Sequence, residues 1–220
     1  MNSQDFIPLL TYVLLHLNLA YALFHSRTKK AMTLIGLLIA VLLASLFPVF
    51  SFIPEVALPL IWYSRAIFGD PGVMLLCLSI WQLWQWLSTW LPKSLQVDPL
   101  WSESVWRREV LPLGVSVVAL AVVFYPSALG LTWFDLYATG YQPMVLSAFV
   151  LFIALGALWT KRYLLSVALA FSLAFWVQGL LDSDNLWDYL MDPLLTLYAL
   201  IIVGKWTCAR LCQSTSHRKA

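Results

Sequence analysis

Charge is the scarcest resource in this chain of 220 residues: Asp, Glu, Lys and Arg make up 11% of it, while 61% is hydrophobic. A soluble domain carries about 25% charged residues and about 45–50% apolar ones, so a water-shielded core cannot absorb this excess. The mean hydropathy of +0.81 points the same way. The formal net charge is only +2 and no basic run exceeds three residues, which excludes a nucleic-acid binder. Three cysteines are too few for a disulfide scaffold. The only histidines, His16, His25 and His217, supply no paired intramembrane ligands for haem. Gly-x-Ser-x-Gly, His-Glu-x-x-His and phosphate-cradling Gly-rich signatures are all missing. No carboxylate, lysine or arginine lies near the centre of any long apolar run, which disfavours ion-coupled transport.

Long apolar runs are what the chain does have. A membrane-spanning helix needs about 20 mostly apolar residues, because its backbone must satisfy itself where water is absent. Seven runs qualify: Phe6 to Phe24, Ala31 to Phe52, Val73 to Leu91, Val110 to Leu131, Met144 to Trp159, Tyr163 to Leu181 and Leu190 to Cys208. The fifth is short and the last starts late. A further apolar piece, Ile53 to Tyr63, is too short to cross and contains Pro54, Glu55 and Pro59, so it reads as an interfacial or re-entrant segment. The expected fold is all-α and integral to the membrane: a polytopic bundle of about seven transmembrane helices.

The charges orient it. Ala20-Tyr21-Ala22 looks like a signal-peptide cleavage site, but the basic residues Arg27, Lys29 and Lys30 follow the first run instead of preceding it. An anchor with its N-terminus outside fits better. That orientation puts 12 of the 13 basic residues in the cytoplasm and strands only Arg65 outside. Eight of the 11 acids, Asp5, Glu55, Asp70, Asp135, Asp182, Asp184, Asp188 and Asp192, then lie outside; Asp98, Glu103 and Glu109 lie inside. An odd number of spans is required, with the C-terminus cytoplasmic. Trp62, Trp133 and Trp187 fall near the outer boundary, where indole rings favour the headgroup layer. Residues 1–212 form one transmembrane domain and 213–220 a short basic cytoplasmic tail. The stretch from Asp98 to Glu109 reads as an amphipathic helix on the cytoplasmic surface.

Three Asp-Pro pairs, at Asp70, Asp98 and Asp192, suit helix starts, with Asp capping free N–H groups and Pro at the first helical position. His16 and Asn18 are expected to hydrogen-bond between helices. The stripe Trp81, Gln82, Trp84 and Gln85 is expected to pack. Cys77, Cys208 and Cys212 are expected to be free thiols.

The outer face collects polar groups that the fold does not obviously require. Its candidate ligand- or partner-binding set is Arg65, Asp70, Asp135, Tyr141, Asp182, Asp184, Asn185 and Asp188, with Glu55, Tyr137 and Tyr189 nearby. A lone external arginine implies a carboxylate or an anionic ligand, most simply an ion pair with Asp182, Asp184 or Asp188. The run Asp182-Ser-Asp-Asn-Leu-Trp-Asp188 lacks the glycine and bidentate glutamate of a calcium loop. No catalytic set, metal or cofactor is therefore expected.

Three functions are compatible with these features. The first is a non-catalytic inner-membrane (plasma-membrane) component that binds a membrane-protein partner or a second copy and presents an acidic, aromatic outer face. The second is a small-solute carrier: seven spans dividing three, one, three resemble in topology the parallel-repeat carriers of the SWEET type, with Asp70-Pro71 and Asp192-Pro193 opening corresponding helices. The Pro-Gln signature of those carriers is absent, and a third Asp-Pro pair falls outside the scheme. The third is an envelope lipid-modifying enzyme acting through Arg65 and the carboxylates at 182–188.

Overall fold

The computed structural model describes residues 3–24, 31–47, 58–88, 104 and 106–217. Among them all regular structure is helical, with no strand. We number the α-helices α1 (Phe6–Phe24), α2 (Ala31–Leu46), α3 (Leu60–Phe68), α4 (Val73–Ser88), α5 (Leu111–Ala128), α6 (Pro143–Trp159), α7 (Tyr163–Val177), α8 (Leu186–Leu190) and α9 (Pro193–His217). Each of the seven apolar runs carries a helix among its described residues. Two segments, Phe6–Phe24 and Arg107–Ala128, are long and apolar enough to cross a membrane, and Leu34–Leu46, Val73–Ser88, Met144–Trp159, Tyr163–Val177 and Pro193–Cys208 are shorter apolar helices.

Helix α6 is rich in the strong helix formers Leu and Ala, whereas α5 carries five valines and two prolines and relies on packing; the helices stop where turn chemistry intervenes. Between α6 and α7 the chain reverses in three residues. Lys161 takes the left-handed φ of 58°, Arg162 N–H donates to Ala157 O and Lys161 N–H to Leu158 O. Those bonds satisfy the last carbonyls of α6 and fold α7 back along it.

Packing follows chain order in the first half, where α1 lies against α2, α3 and α4. It then departs from chain order: α4 meets α7, α7 pairs with α6, and α9 packs on α5. The second half therefore does not repeat the three-helix unit of the first. The main core joins Val73, Leu76, Leu113, Phe124, Ala168, Leu186, Tyr189 and Leu195 from α4, α5, α7, α8 and α9. One face of α6 (Leu146, Val150, Ala154 and Ala157) is buried, while Met144, Val145, Phe152 and Trp159 lie open.

Four details differ from the sequence expectations. Ile53–Tyr63 was read as one segment, but residues 53–57 lie outside the described residues and the rest enters α3, whose helix continues to Phe68. Most of Asp98–Glu109 also lies outside them. Its last residues form a π-helical turn, Trp106–Val110, leading into α5. There Glu109 is buried, not solvated, because its carboxylate accepts Leu164 N–H at the start of α7 (3.1 Å) and Arg108 Nε–H (3.0 Å). Finally, helix α9 runs through His217, beyond the boundary at 213 where the tail was expected to begin.

Candidate functional site

The polar residues expected on the outer face gather in two clusters. The first is centred on Arg65, near the end of α3. Its Nε–H donates to Asp70 Oδ1 at 2.5 Å and Nη2–H to Asp70 Oδ2 at 3.0 Å, while Nη1–H donates to Asp5 Oδ1 at 2.7 Å. Asp182 approaches Nη2 only to 3.7 Å and keeps 58% of its side chain exposed. Arg65 itself is 17% exposed, and the Trp62 ring lies 5.7 Å from its Cζ. Bonding to Asp70, and then to Asp5, raises the guanidinium pKa further above its ordinary value. The paired fork geometry is the strong form of arginine–carboxylate recognition. It ties the N-terminus, α3, the start of α4 and the loop before α8 together.

This arrangement corrects two expectations. Asp182 is only the outermost of Arg65's partners, and Asp184 and Asp188 are not partners at all. Asp70 spends both oxygens on the guanidinium and is not the cap of α4. Asp5, which is 60 residues away in sequence, was not singled out because chain separation hides such a pairing.

Asp192 does behave as a cap. Its Oδ1 accepts Leu195 N–H at 2.8 Å, and its Oδ2 accepts Gly72 N–H at 3.0 Å. One buried carboxylate thus satisfies N–H groups at the starts of both α9 and α4. A Cβ on Gly72 would stand 3.0 Å from Asp192 Oδ2 and 3.2 Å from Asp188 O, so a side chain here would press on both.

The second cluster braces the turn 132–141 from beneath. Asn185, with no exposed surface, donates Nδ2–H to Tyr137 O at 2.9 Å and accepts Trp187 N–H at 2.9 Å. Trp187 Nε1–H donates to Leu136 O at 2.8 Å. Trp187 is therefore an interior residue, contrary to the boundary position expected for it. Asp188 accepts the Tyr137 hydroxyl at 3.0 Å and the Ser183 hydroxyl in a shorter contact. Burial, followed by the charge of Asp188, pushes the Tyr137 phenol above its ordinary pKa. Asp184 contributes its backbone carbonyl to Trp176 Nε1–H at 3.0 Å.

Asp135 and Tyr141 occupy the rim. Asp135 Oδ1 accepts Ala138 N–H at 3.1 Å, closing a local turn. Tyr141 stacks edge-on against Tyr137, with ring centroids 5.8 Å apart, and is 58% exposed. Beside them Trp133 is 95% exposed. The expected site residues thus divide into two clusters and a rim, with no single convergent pocket. Glu55 lies outside the described residues.

Within the helices, His16 and Asn18 do form interhelical hydrogen bonds. Asn18 Nδ2–H donates to Ser79 O at 3.0 Å, and His16 stands between Ser45 and Ser64. Those serines carried no signal in the sequence. Of the stripe on α4, Trp81 packs beside Val110 and Ile202, and Trp84 is exposed. Cys77 and Cys208 are free thiols.

Comparison with protein-family models, with curated proteins and with solved structures gives no match.

Proposed function

We propose that this chain is a seven-span membrane component, N-terminus outside, whose outer face docks a membrane-protein partner bearing basic groups. The observation that carries the reading is Trp133, 95% exposed on a turn that Asn185 and Trp187 hold from below. An exposed indole is the kind of anchor that dominates binding energy at interfaces. It sits among exposed carboxylates: Asp135, Asp182 and Asp184 are all open. Their negative field favours a basic partner and steers its approach.

The other polar groups of this face support docking over catalysis there. Asp70 and Asp5 engage three of the five N–H donors of Arg65 and offset its charge, which weakens its claim on a lipid phosphate. Asp188 accepts the Tyr137 and Ser183 hydroxyls together on one oxygen, Oδ2. The carrier reading draws less support, because α9 packs on α5 and does not complete a second three-helix unit with α6 and α7.

The test is a photo-crosslinking amino acid at position 133, irradiated in native membranes. A discrete protein adduct that weakens with rising salt and in an Asp135→Asn/Asp184→Asn double variant supports docking. Adducts to lipid alone, or a protein adduct indifferent to both salt and those carboxylates, oppose it.

A further inference from the structure

His16 lies between two serine hydroxyls contributed by two other helices. Its Nδ1 is 3.0 Å from Ser45 Oγ on α2, and its Nε2 is 2.9 Å from Ser64 Oγ on α3. Each serine also faces a carbonyl one turn back on its own helix: Ser45 Oγ is 2.8 Å from Val41 O, and Ser64 Oγ is 3.2 Å from Leu60 O.

Counting hydrogens limits how this group can be arranged. A hydroxyl has one hydrogen to donate, and a neutral imidazole has one N–H and one lone pair. If both serines donated to their carbonyls, both ring nitrogens would need hydrogens and His16 would have to be an imidazolium among helices. In the neutral ring, one serine must instead donate to histidine. Ser64 gives up the longer backbone bond (3.2 Å), and Ser45 keeps the shorter (2.8 Å). Of the two neutral tautomers that balance, the one in which Nδ1–H donates to Ser45 Oγ and the Nε2 lone pair accepts the Ser64 hydroxyl keeps the shorter backbone bond.

That is a nucleophile, a base and a group that orients the base, all within hydrogen-bond reach, which is the constellation that activates a serine for acyl transfer. Ser45 is fully buried and holds the ring, as an orienting group should. Ser64 is half-buried, and its neighbours along that side of α3, Leu60, Ile67 and Phe68, are 36%, 72% and 44% exposed. The hydroxyl therefore borders an open apolar stripe suited to an acyl chain. Arg65, next in the chain, is already neutralised by Asp70 and Asp5, so recognition would rest on the chain and its ester rather than on a phosphate.

We propose that Ser64 and His16 form a serine–histidine pair that cleaves or transfers a long-chain carboxylic ester of a membrane lipid. This activity is separate from the docking face and does not depend on it. Ser64 Oγ attacks the ester carbonyl carbon as its proton passes to His16 Nε2. The acyl C–O bond to the alcohol then breaks, and His16 returns that proton to the leaving oxygen, leaving an acyl-Ser64 ester. Water repeats the sequence: its oxygen bonds to the acyl carbon, one proton passes through His16 back to Ser64 Oγ, and the fatty acid leaves. The balance is ester plus water to acid plus alcohol.

The test uses a hexadecyl fluorophosphonate on the full chain in lipid nanodiscs, read by intact mass and by peptide mapping. One adduct, on Ser64, is expected in the unmodified protein. It should be absent in Ser64→Ala, form at least tenfold more slowly in His16→Gln, and slow several-fold in Ser45→Ala. Thermal melting and gel filtration of each variant establish that it is folded. If His16→Gln does not fold, the unmodified protein and Ser45→Ala still decide. No adduct on the unmodified protein overturns the proposal, as does an adduct on another serine. A labelling rate unchanged in folded His16→Gln or Ser45→Ala also overturns it, because a serine that only holds helices together needs no base.

Discussion

Gly140 and Asn185 are in such close contact that a Cβ on the glycine would lie 1.7 Å from Asn185 Oδ1 and 2.7 Å from Trp187 Cδ1. The turn 132–141 is thereby clamped on the loop that precedes α8. Gly140→Ala should force the Asn185 amide out of its bonds to Tyr137 O and Trp187 N–H. Overpacking of this kind costs about 1–3 kcal/mol, and unfolding of the purified protein in detergent should show a loss of that order. An unchanged melting point would mean that the clamp yields freely.

Arg65 is predicted to matter for stability. Arg65→Ala leaves Asp5 and Asp70 facing each other without a cation. Removing one partner of a fully buried pair costs about 3–5 kcal/mol, and partial exposure here reduces that to about 1–3 kcal/mol. Arg65→Lys should recover only part of it, since an ammonium cannot make the paired contact with Asp70. Denaturant titration of the three proteins checks the order.

The Tyr137 phenol has its pKa raised in the folded protein, by burial first and by Asp188 next. Its stabilising contribution is therefore fully present below the unfolded value of about 10 and is lost as pH rises through the higher folded value. Tyr137→Phe should lose about 0.5–1.5 kcal/mol at neutral pH. In alkaline titration, the phenolate absorbance missing from the variant should be a part that appears above the ordinary tyrosine value of about 10. An early-ionising Tyr137 would contradict its bond to Asp188.

Asp192 joins two helix starts with two oxygens. Asp192→Asn keeps one acceptor but turns an NH2 group toward Leu195 N–H or Gly72 N–H, leaving a buried donor unmet. The expected loss is about 1–3 kcal/mol, measured by thermal unfolding. Hydrogen exchange should identify which of the two N–H groups has opened.

The seven-span orientation makes a direct labelling prediction. In a background with its native cysteines replaced by serine, Trp133→Cys should react with a membrane-impermeant maleimide from outside. Lys161→Cys should react only after the membrane is opened. Reaction of both from one side would break the proposed topology.

What was legible in the sequence is local in origin. Helix positions could be read because hydropathy is a sum over neighbouring residues, so α1 begins and ends at the expected Phe6 and Phe24. Asp192 could be read as a cap because capping acts within a few residues of the helix start. Asp70 carried the same signature and does something else, since a guanidinium five residues earlier competes for its oxygens.

Tertiary structure alone decided the pairings across long chain separations. Asp5 meets Arg65, Glu109 caps α7, Trp187 turns inward to Leu136, and Ser45 and Ser64 flank His16. A serine in an apolar helix can satisfy its own hydrogen on a carbonyl one turn back, so nothing in its immediate sequence reveals that it also faces a histidine. Hydropathy determines that a segment is helical and which residues avoid water. Which polar side chains then share a hydrogen depends on helix rotation and crossing, and those are set only when the packed faces meet.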